Sequence, residues 1–158
     1  MGKIRTKEEL AKICDEARKK GKKIVTTNGA FDLFHYGHLK SLKFAKEQGD
    51  ILIVGINSDA SVKKYKSDKR PIIPEKERAK IVAAIEYVDY VSVYDEKTPI
   101  DLLEMLKPHV HVKGSEYEND IPEKEVVEEY SGKVVFIKRD KTDVSTSMII
   151  DRILHSYR

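Results

Sequence analysis

The residues best placed to do chemistry are two histidines at the start of a helical stretch. His35 and His38 stand three residues apart, so their imidazoles share one face of the first helical turn. A helix N-terminus leaves its first backbone N–H groups without intrahelical partners and carries the positive end of the helix dipole. Two imidazole donors added there predict a phosphate-binding site. Gly37 lies between them, and its missing Cβ is expected to let a ligand phosphate approach the backbone.

The same spacing is compatible with two metal ligands, or with one packed and one solvated histidine. Zinc is disfavoured because Cys14 is the only cysteine, and the remaining histidines, His109, His111 and His155, lie far away without a ligand spacing. No dedicated metal site can be identified from the sequence. Phosphate binding is therefore the favoured interpretation of the histidine pair.

Further anion-binding candidates occur later in the chain. Lys46 follows His38 by eight residues, so the two side chains differ by about 40° to 80° in direction around the helix axis. The lysine is expected to extend back toward a phosphate. Arg78 offers a planar guanidinium suited to a polyphosphate. Ser145 and Thr146 open the last predicted helix, where hydroxyls and free N–H groups converge. Surface lysine and arginine roles, and a plain N-cap at Ser145, remain the alternatives.

Composition and charge narrow the class of protein. The 158 residues are 36% charged and 40% hydrophobic, which is typical of one soluble globular domain over residues 1–158, with 1–22 as an N-terminal helix and lead-in. The net charge is +3, and the basic residues are interleaved with acidic ones, so no nucleic-acid partner is expected. No apolar run reaches the length of a signal segment or a membrane span, so a cytoplasmic protein without a membrane partner is expected.

Alternating β and α signals predict a single-domain, doubly wound, Rossmann-like α/β fold, with a parallel sheet covered by helices on both faces. The predicted strands cover residues 24–27, 51–56, 90–94, 110–112 and 134–137. The predicted helices cover residues 6–20, 36–48, 74–85, 99–106, 122–130 and 146–157, with a helix or loop over 58–65. Thr6 and Glu9 form a capping box, and Thr98 is the expected N-cap of the helix that begins at Pro99.

In such a fold, ligands bind outside the carboxyl ends of the strands. The polar segments 27–29, 57–59, 95–96 and 113–116 all follow predicted strands. The sequence has neither a Gly-x-Gly-x-x-Gly turn nor a Gly-x-x-x-x-Gly-Lys loop, which argues against a dinucleotide-dependent dehydrogenase and a P-loop enzyme.

Five segments in this order resemble the cytidylyltransferase-like nucleotidylyltransferases, most closely the bacterial D-glycero-β-D-manno-heptose 1-phosphate adenylyltransferases. They are residues 27–38 (TNGAFDLFHYGH), 54–61, 70–78, 112–117 and 145–147. The N-terminal capped helix is similar to the heptose enzymes. Glu116 stands where those enzymes usually have Asp, and Arg139 is similar to an arginine that cytidylyltransferases use on the triphosphate.

The resemblance implies that a sugar 1-phosphate attacks the α-phosphorus of ATP and releases pyrophosphate, with Mg²⁺ accompanying the nucleotide and a homodimer as the assembly. The implied catalytic residues are His35, His38, Lys46 and Arg78. Asp32 is expected to orient Lys46 or a metal-bound water. The implied nucleotide-binding residues are Asn28, Gly29, Ala30, Phe31, Asp32, Gly37, Lys113, Gly114, Glu116, Ser145 and Thr146.

Two alternatives remain open at this point. One is a cytidylyltransferase for glycerol 3-phosphate or another phosphorylated alcohol. The other is a nucleotide-binding module without turnover, which the presence of both histidines with Lys46 and Arg78 disfavours.

Overall fold

The computed structural model describes residues 3–140 and 143–158. Its centre is a five-stranded, all-parallel sheet in the order β3-β2-β1-β4-β5. The strands are β1 (Ile24–Gly29), β2 (Ile51–Asn57), β3 (Tyr90–Tyr94), β4 (Val110–Gly114) and β5 (Lys133–Ile137). The helices are α1 (Lys7–Lys19), α2 (Tyr36–Lys46), α3 (Asp59–Tyr65), α4 (Glu75–Ala83), α5 (Ile100–Leu106), α6 (Glu123–Glu129) and α7 (Thr146–Ser156). This arrangement confirms the predicted doubly wound α/β fold.

Helices cover both faces of the sheet because the strands carry apolar residues on both sides. In β1, Val25 packs in the cluster that includes Leu42 of α2 and Val82 of α4. The neighbouring Ile24 packs in the opposite cluster with Leu10 of α1. Strands buried on both faces are typical of parallel sheets. The order reverses between β1 and β4, the place where ligands bind in this class of fold.

Local signals placed most helix starts correctly. Thr6 and Glu9 form the predicted capping box, with the Glu9 amide donating to Thr6 Oγ1 at 3.2 Å and the Thr6 amide donating to the Glu9 carboxylate at 2.9 Å. The prediction for α5 was wrong by one residue: Pro99 occupies the N-cap, and no side chain caps that helix. Among the described residues, no helix is long and apolar enough to cross a membrane.

Strand β1 is longer than predicted and includes Asn28 and Gly29. Their backbones pair in register with Gly55 and Ile56 of β2. The pairing with β4 ends at Thr27, so the register with β2 alone carries the strand to the point where the chain turns toward the histidines. The ordered strand therefore leads directly into the candidate site.

The buried imidazole of His111 makes stability depend on pH. His111 is fully buried, and its Nδ1 lies 2.8 Å from Thr26 Oγ1. Its Nε2 has no hydrogen-bond partner among the residues that the structure describes. Burial, with a smaller effect of the Lys113 charge, lowers the pKa of His111 to about 3.

Acidification is expected to destabilise the protein through His111. An unfolded histidine has a pKa of about 6.5, so below that pH the unfolded chain takes up a proton that the folded chain does not. The His111 contribution is complete above pH 6.5 and is lost as the pH falls toward 3; at pH 5 the loss is about 2 kcal/mol. Urea unfolding of the wild type and His111→Gln at pH 7 and 5 measures it. The exposed His155→Gln control should keep the wild-type pH dependence, and an equal dependence in His111→Gln would contradict the prediction.

Candidate active site

A cavity of about 420 Å³ opens at the carboxyl ends of the strands. It is bordered by the end of β1, the first turns of α2 and α7, and loops that follow β2, β3, β4 and β5. Most of the sequence-predicted site residues line it, namely Asn28, Gly29, Ala30, Phe31, Asp32, His35, His38, Lys113, Gly114, Glu116, Ser145 and Thr146. The strands thus bring residues from both ends of the chain to one edge of the sheet.

The two histidines cap the helix that they begin. The Gly37 amide donates to Nδ1 of His35 at 3.1 Å, and the His35 amide donates to Nδ1 of His38 at 3.2 Å. The two rings stack with centroids 3.8 Å apart. A ring nitrogen that accepts a backbone hydrogen bond carries no proton, so each neutral imidazole has its proton on Nε2. The capping arrangement therefore leaves one N–H donor on each ring for a ligand.

Both imidazoles are held neutral. The pKa of His38 is lowered to about 3. Burial is the largest cause, and the charges of His35, Arg139 and Lys66 are smaller causes. Burial and then Arg139 also lower the pKa of His35. Near neutral pH the pair consists of two uncharged donors rather than two cations. The positive charge of the cavity has to come from other residues.

Gly37 has a structural role that the sequence did not predict. A Cβ at position 37 would lie 2.9 Å from Cε1 of His35 and 3.0 Å from the Val144 carbonyl oxygen. Gly37 is not among the residues that line the cavity. The absent side chain therefore makes room for the capping ring of His35 and for the segment before α7. The approach of a ligand phosphate to this backbone stays a prediction.

Asp32 fixes the loop that precedes α4. Its buried carboxylate accepts hydrogen bonds from the Ile72 amide at 2.8 Å, the Ile73 amide at 2.9 Å and Nε of Arg70 at 3.0 Å. Burial alone would raise the pKa of Asp32, but these bonds outweigh it and lower the pKa below its ordinary value. The expectation that Asp32 orients Lys46 is wrong, because its carboxylate is occupied by Arg70 and the loop.

The backbone around Asp32 is strained. Phe31 and Leu33 have φ values of 52° and 48°, in the left-handed region that residues with a Cβ rarely adopt. Each such residue costs on the order of 1 kcal/mol or more. Thr146 of α7 donates from Oγ1 to the Asp32 carbonyl at 2.7 Å and supports this conformation. The strained turn carries the chain from β1 to the histidines.

Cationic side chains line the same cavity as the histidines. Lys66, Arg70, Lys97, Lys113 and Arg139 line the cavity. Nη2 of Arg70 is buried and has no hydrogen-bond partner within the described ranges. Burial and then the nearby charge of Arg70 lower the pKa of Lys66, and together they outweigh the opposing effect of Asp32. This arrangement favours a polyanionic ligand.

Lys66 and Lys97 were not identified as site residues from the sequence, and Arg70 was noted only as a guanidinium in a loop. Their common signal is that each follows the carboxyl end of a strand after only a short helix or loop. Lys66 lies directly after α3, and Lys97 lies three residues after β3. Because several exposed lysines share this property, the sequence alone cannot select these two.

The structure contradicts the catalytic role predicted for Lys46. Its Nζ lies 2.6 Å from the Asp89 carboxylate and donates to the Asp50 carbonyl at 2.7 Å. Asp50 and Asp89 directly precede β2 and β3, at the opposite edge of the sheet. Eight residues of helix separate Lys46 from His38 by about 12 Å along the axis at 1.5 Å per residue. The prediction considered the angle around the helix and neglected this axial distance.

The structure also contradicts the phosphate role predicted for Arg78. The side chain is fully buried, and it donates to the carbonyls of Ala30 at 2.6 Å, Asn57 at 2.8 Å and Ile73 at 2.8 Å. A further donor reaches the Asp59 carboxylate at 2.9 Å. Arg78 does not line the cavity. Its hydrogen bonds connect the ends of β1 and β2 to the loop before α4, and so they stabilise the backbone that carries the site.

The N-terminus of α7 forms the other side of the cavity. Ser145 is the N-cap of α7, and its Oγ accepts a hydrogen bond from the Met148 amide at 3.1 Å. This is the N-cap role that the sequence offered as the alternative to phosphate binding. The amides of Thr146 and Ser147 lie in the first turn, where a helix leaves N–H groups without intrahelical partners. Both residues line the cavity. The backbone N–H groups of this turn are therefore suited to an anion, and Ser145 keeps its O–H as a donor because its Oγ only accepts from Met148.

The turn after β4 brings Gly114 and Glu116 to the cavity. A Cβ at position 114 would clash with the Glu116 carboxylate, so glycine allows this carboxylate to fold back over the strand end. Glu116 Oε1 lies 3.8 Å from Nε of Arg139.

Within the described residues, no group of three or more His, Cys, Asp or Glu side chains is arranged to hold a metal ion.

Comparison with known proteins agrees with this geometry. The chain is 50% identical to bifunctional protein HldE of Geobacter metallireducens and 46% identical to HldE of Geobacter sulfurreducens, in each case over 98% of this chain. The chain spans 32% of the length of these relatives.

Solved structures share the fold. A lipopolysaccharide core biosynthesis protein from Thermoplasma volcanium superposes with a TM-score of 0.63 and 25% identity, over 78% of this chain and all of that one. A pantoate-beta-alanine ligase from Francisella tularensis superposes with a TM-score of 0.64 and 18% identity, over 97% of this chain and 77% of that one, which shows the fold alone.

The cytidylyltransferase-like family model matches residues 26–152. The match begins within β1 and ends within α7, so it contains the paired histidines, the Asp32 turn and the helix N-terminus that faces them. The chain belongs to the cytidylyltransferase-like family.

Proposed function

We propose that this chain is a nucleotidylyltransferase that transfers AMP from ATP to D-glycero-β-D-manno-heptose 1-phosphate, giving ADP-heptose and pyrophosphate. The observation that carries the proposal is the pair of neutral imidazoles, each with an Nε2 donor, in a cavity lined by Lys66, Arg70 and Arg139. The choice of a heptose acceptor is supported by the resemblance to the heptose enzymes and by the 50% identity to an HldE protein.

In the proposed reaction, a phosphate oxygen of the sugar 1-phosphate attacks the α-phosphorus of ATP. A new oxygen–phosphorus bond forms, the bond from the α-phosphorus to the oxygen bridging to the β-phosphorus breaks, and pyrophosphate leaves with that electron pair. The nucleophile is already an anion, so no general base is required. Catalysis then consists of positioning and of stabilising charge with preorganised donors.

The residues of the chain fall into three roles in this mechanism. His35 and His38 donate from Nε2 to the triphosphate as charge develops. Lys66, Arg70 and Arg139 neutralise phosphate charge. The first-turn amides at Thr146 bind phosphate oxygens, and Gly29, Ala30, Phe31, Gly114 and Glu116 border the nucleoside. Asp32 acts through the loop that it holds.

We further propose that Mg²⁺ enters with the nucleotide. Mg²⁺ that accompanies a nucleotide is bound mainly by phosphate oxygens and waters, with one or two protein carboxylates at most. When bound there, the ion neutralises phosphate charge. We also propose that the protein is a homodimer, on the basis of the family resemblance. On the basis of its composition, we propose that it acts in the cytoplasm without nucleic-acid or membrane partners.

Pyrophosphate release tests the proposed substrates. We expect kcat/KM to be far higher for ATP with D-glycero-β-D-manno-heptose 1-phosphate than for CTP with glycerol 3-phosphate. A site built to pair with one base edge rejects another strongly, because its polar groups would be left unpaired. A preference for CTP and glycerol 3-phosphate would favour a cytidylyltransferase. ATP binding without pyrophosphate release from any pair would favour a binding module.

A further inference from the structure

Side chains at the β1 and β4 ends of the cavity form a second group, separate from the histidines and their surrounding cations. Nζ of Lys113 donates to Oδ1 of Asn28 at 3.3 Å and lies 3.3 Å from Oε1 of Glu123. Nδ2 of Asn28 donates to the Tyr94 hydroxyl at 3.0 Å. Lys113 also lies over the ring of Tyr117, 4.7 Å from its centroid. We call Asn28, Lys113, Tyr117 and Glu123 the β4 polar group.

Glu123 is unusual within this group. Its side chain is only 5% exposed, yet it lines the cavity, and Lys113 is the only ion-pair partner that the structure gives it among the described residues. An ionised carboxylate can accept about four hydrogen bonds. A buried carboxylate with one long contact to a cation is costly unless further donors satisfy it. The remaining acceptor capacity of Glu123 is therefore available to a ligand that brings hydroxyl donors.

We infer that the β4 polar group is the subsite that recognises the hydroxyl groups of the acceptor sugar, and that Glu123 is a specificity-determining residue. The inference rests on the proposed function. Glu123 accepts from sugar hydroxyls, while Lys113 and Asn28 donate to sugar oxygens. This assigns Lys113 and Asn28 to the acceptor and not to the nucleotide, which the family resemblance implied for both. The half-exposed ring of Tyr117 provides an apolar face at the mouth of the subsite. A few polar groups placed beside an aromatic ring are typical of small-molecule sites.

The division of the cavity supports an acceptor subsite. Lys66, Arg70 and Arg139 supply cations near the histidines. In the β4 polar group, the charge of Lys113 is offset by Glu123. A phosphate is favoured in the first region, and a neutral polyhydroxyl ligand in the second. The ribose of the nucleotide carries the same chemistry, so the experiment has to distinguish ribose from acceptor.

Steady-state kinetics of Glu123→Gln test the inference. The substitution keeps the size of the side chain but replaces charged acceptors with one neutral acceptor and a donor, so hydrogen bonds from hydroxyls weaken. We expect kcat/KM for heptose 1-phosphate to fall at least tenfold, while KM for ATP and the ratio of ATP to 2′-deoxy-ATP use stay within twofold. Lys113→Met should show the same selective loss. Glu125→Gln, an exposed change on α6, is the matched control and should behave as wild type.

The possible outcomes are separable. Urea unfolding of each variant shows whether the fold is kept; if Glu123→Gln is unfolded, Lys113→Met decides. If the wild type turns over heptose 1-phosphate and the folded variants keep its kcat/KM for that acceptor, this inference is overturned while the proposed function stands. A loss confined to ATP, or a changed ATP to 2′-deoxy-ATP ratio, would assign the group to ribose and also overturn it. No wild-type turnover of heptose 1-phosphate would overturn the proposed function and, with it, this inference.

Discussion

Alanine at His35 or His38 is expected to lower turnover by roughly 10²–10³, which corresponds to about 2.7–4 kcal/mol for loss of one preorganised donor. Each ring presents Nε2–H to the cavity because its Nδ1 accepts a backbone amide. Since the donors act on charge that develops during the reaction, the loss should appear mainly in kcat. Pyrophosphate release with ATP and heptose 1-phosphate provides the measurement.

Two lysines on α2 provide the controls for the histidine variants. Lys43→Ala changes an exposed residue on the same helix and should leave kcat unchanged within a factor of two. Lys46→Ala should also keep kcat within a few-fold, because Lys46 contacts Asp50 and Asp89 at the other edge of the sheet. Near-normal turnover of both histidine variants would exclude the mechanism. A large loss of kcat in Lys46→Ala would restore the role predicted from the sequence.

Replacing Arg78 with alanine is expected to lower the free energy of unfolding by about 3–5 kcal/mol, because it leaves buried carbonyl acceptors without donors and opens a cavity. The change removes donors from the carbonyls of Ala30, Asn57 and Ile73 and leaves the Asp59 carboxylate without this partner. Arg78→Lys should also destabilise the fold, because one ammonium cannot reproduce the planar fork. Urea unfolding measures both effects.

The exposed Lys80→Ala, on the same helix α4, serves as the control and should change stability by less than about 0.5 kcal/mol. A phosphate-binding Arg78 would give a different pattern. Its alanine variant would keep the wild-type stability and show a raised KM for ATP. The two measurements together therefore separate a supporting role from direct contact with the nucleotide.

Features that depend on nearby residues were predictable from the sequence. The capping box at Thr6 and Glu9 and the N-cap at Ser145 each involve contacts across three residues, and both formed as predicted. The parallel sheet followed from the alternation of apolar runs with amphipathic ones. The N-cap at Thr98 was predicted wrongly, because Pro99 occupies the cap position itself.

The site was predictable only in part. The segment from Asn28 to His38 reaches the cavity because the end of β1 and the start of α2 are joined by a short turn. Arg78 was misjudged, since a charged side chain within an amphipathic helix normally faces solvent. Its burial depends on carbonyls from two strand ends and a loop, which the helix sequence does not contain.

By itself, the sequence determined the fold class and the presence of two histidines at a helix N-terminus, because both follow from local spacing and periodicity. The nitrogen that stays free on each ring also follows from local contacts, because the capping hydrogen bonds join residues only two and three apart. Tertiary structure decided which cations face those histidines. Lys66 and Arg70 share the segment after α3, whereas Arg139 lies 69 residues after Arg70. Arg139 meets the other two only because the strand order β3-β2-β1-β4-β5 brings successive strand ends to one edge. Lys46, only eight residues from His38, lies at the opposite edge because the rigid length of α2 separates them.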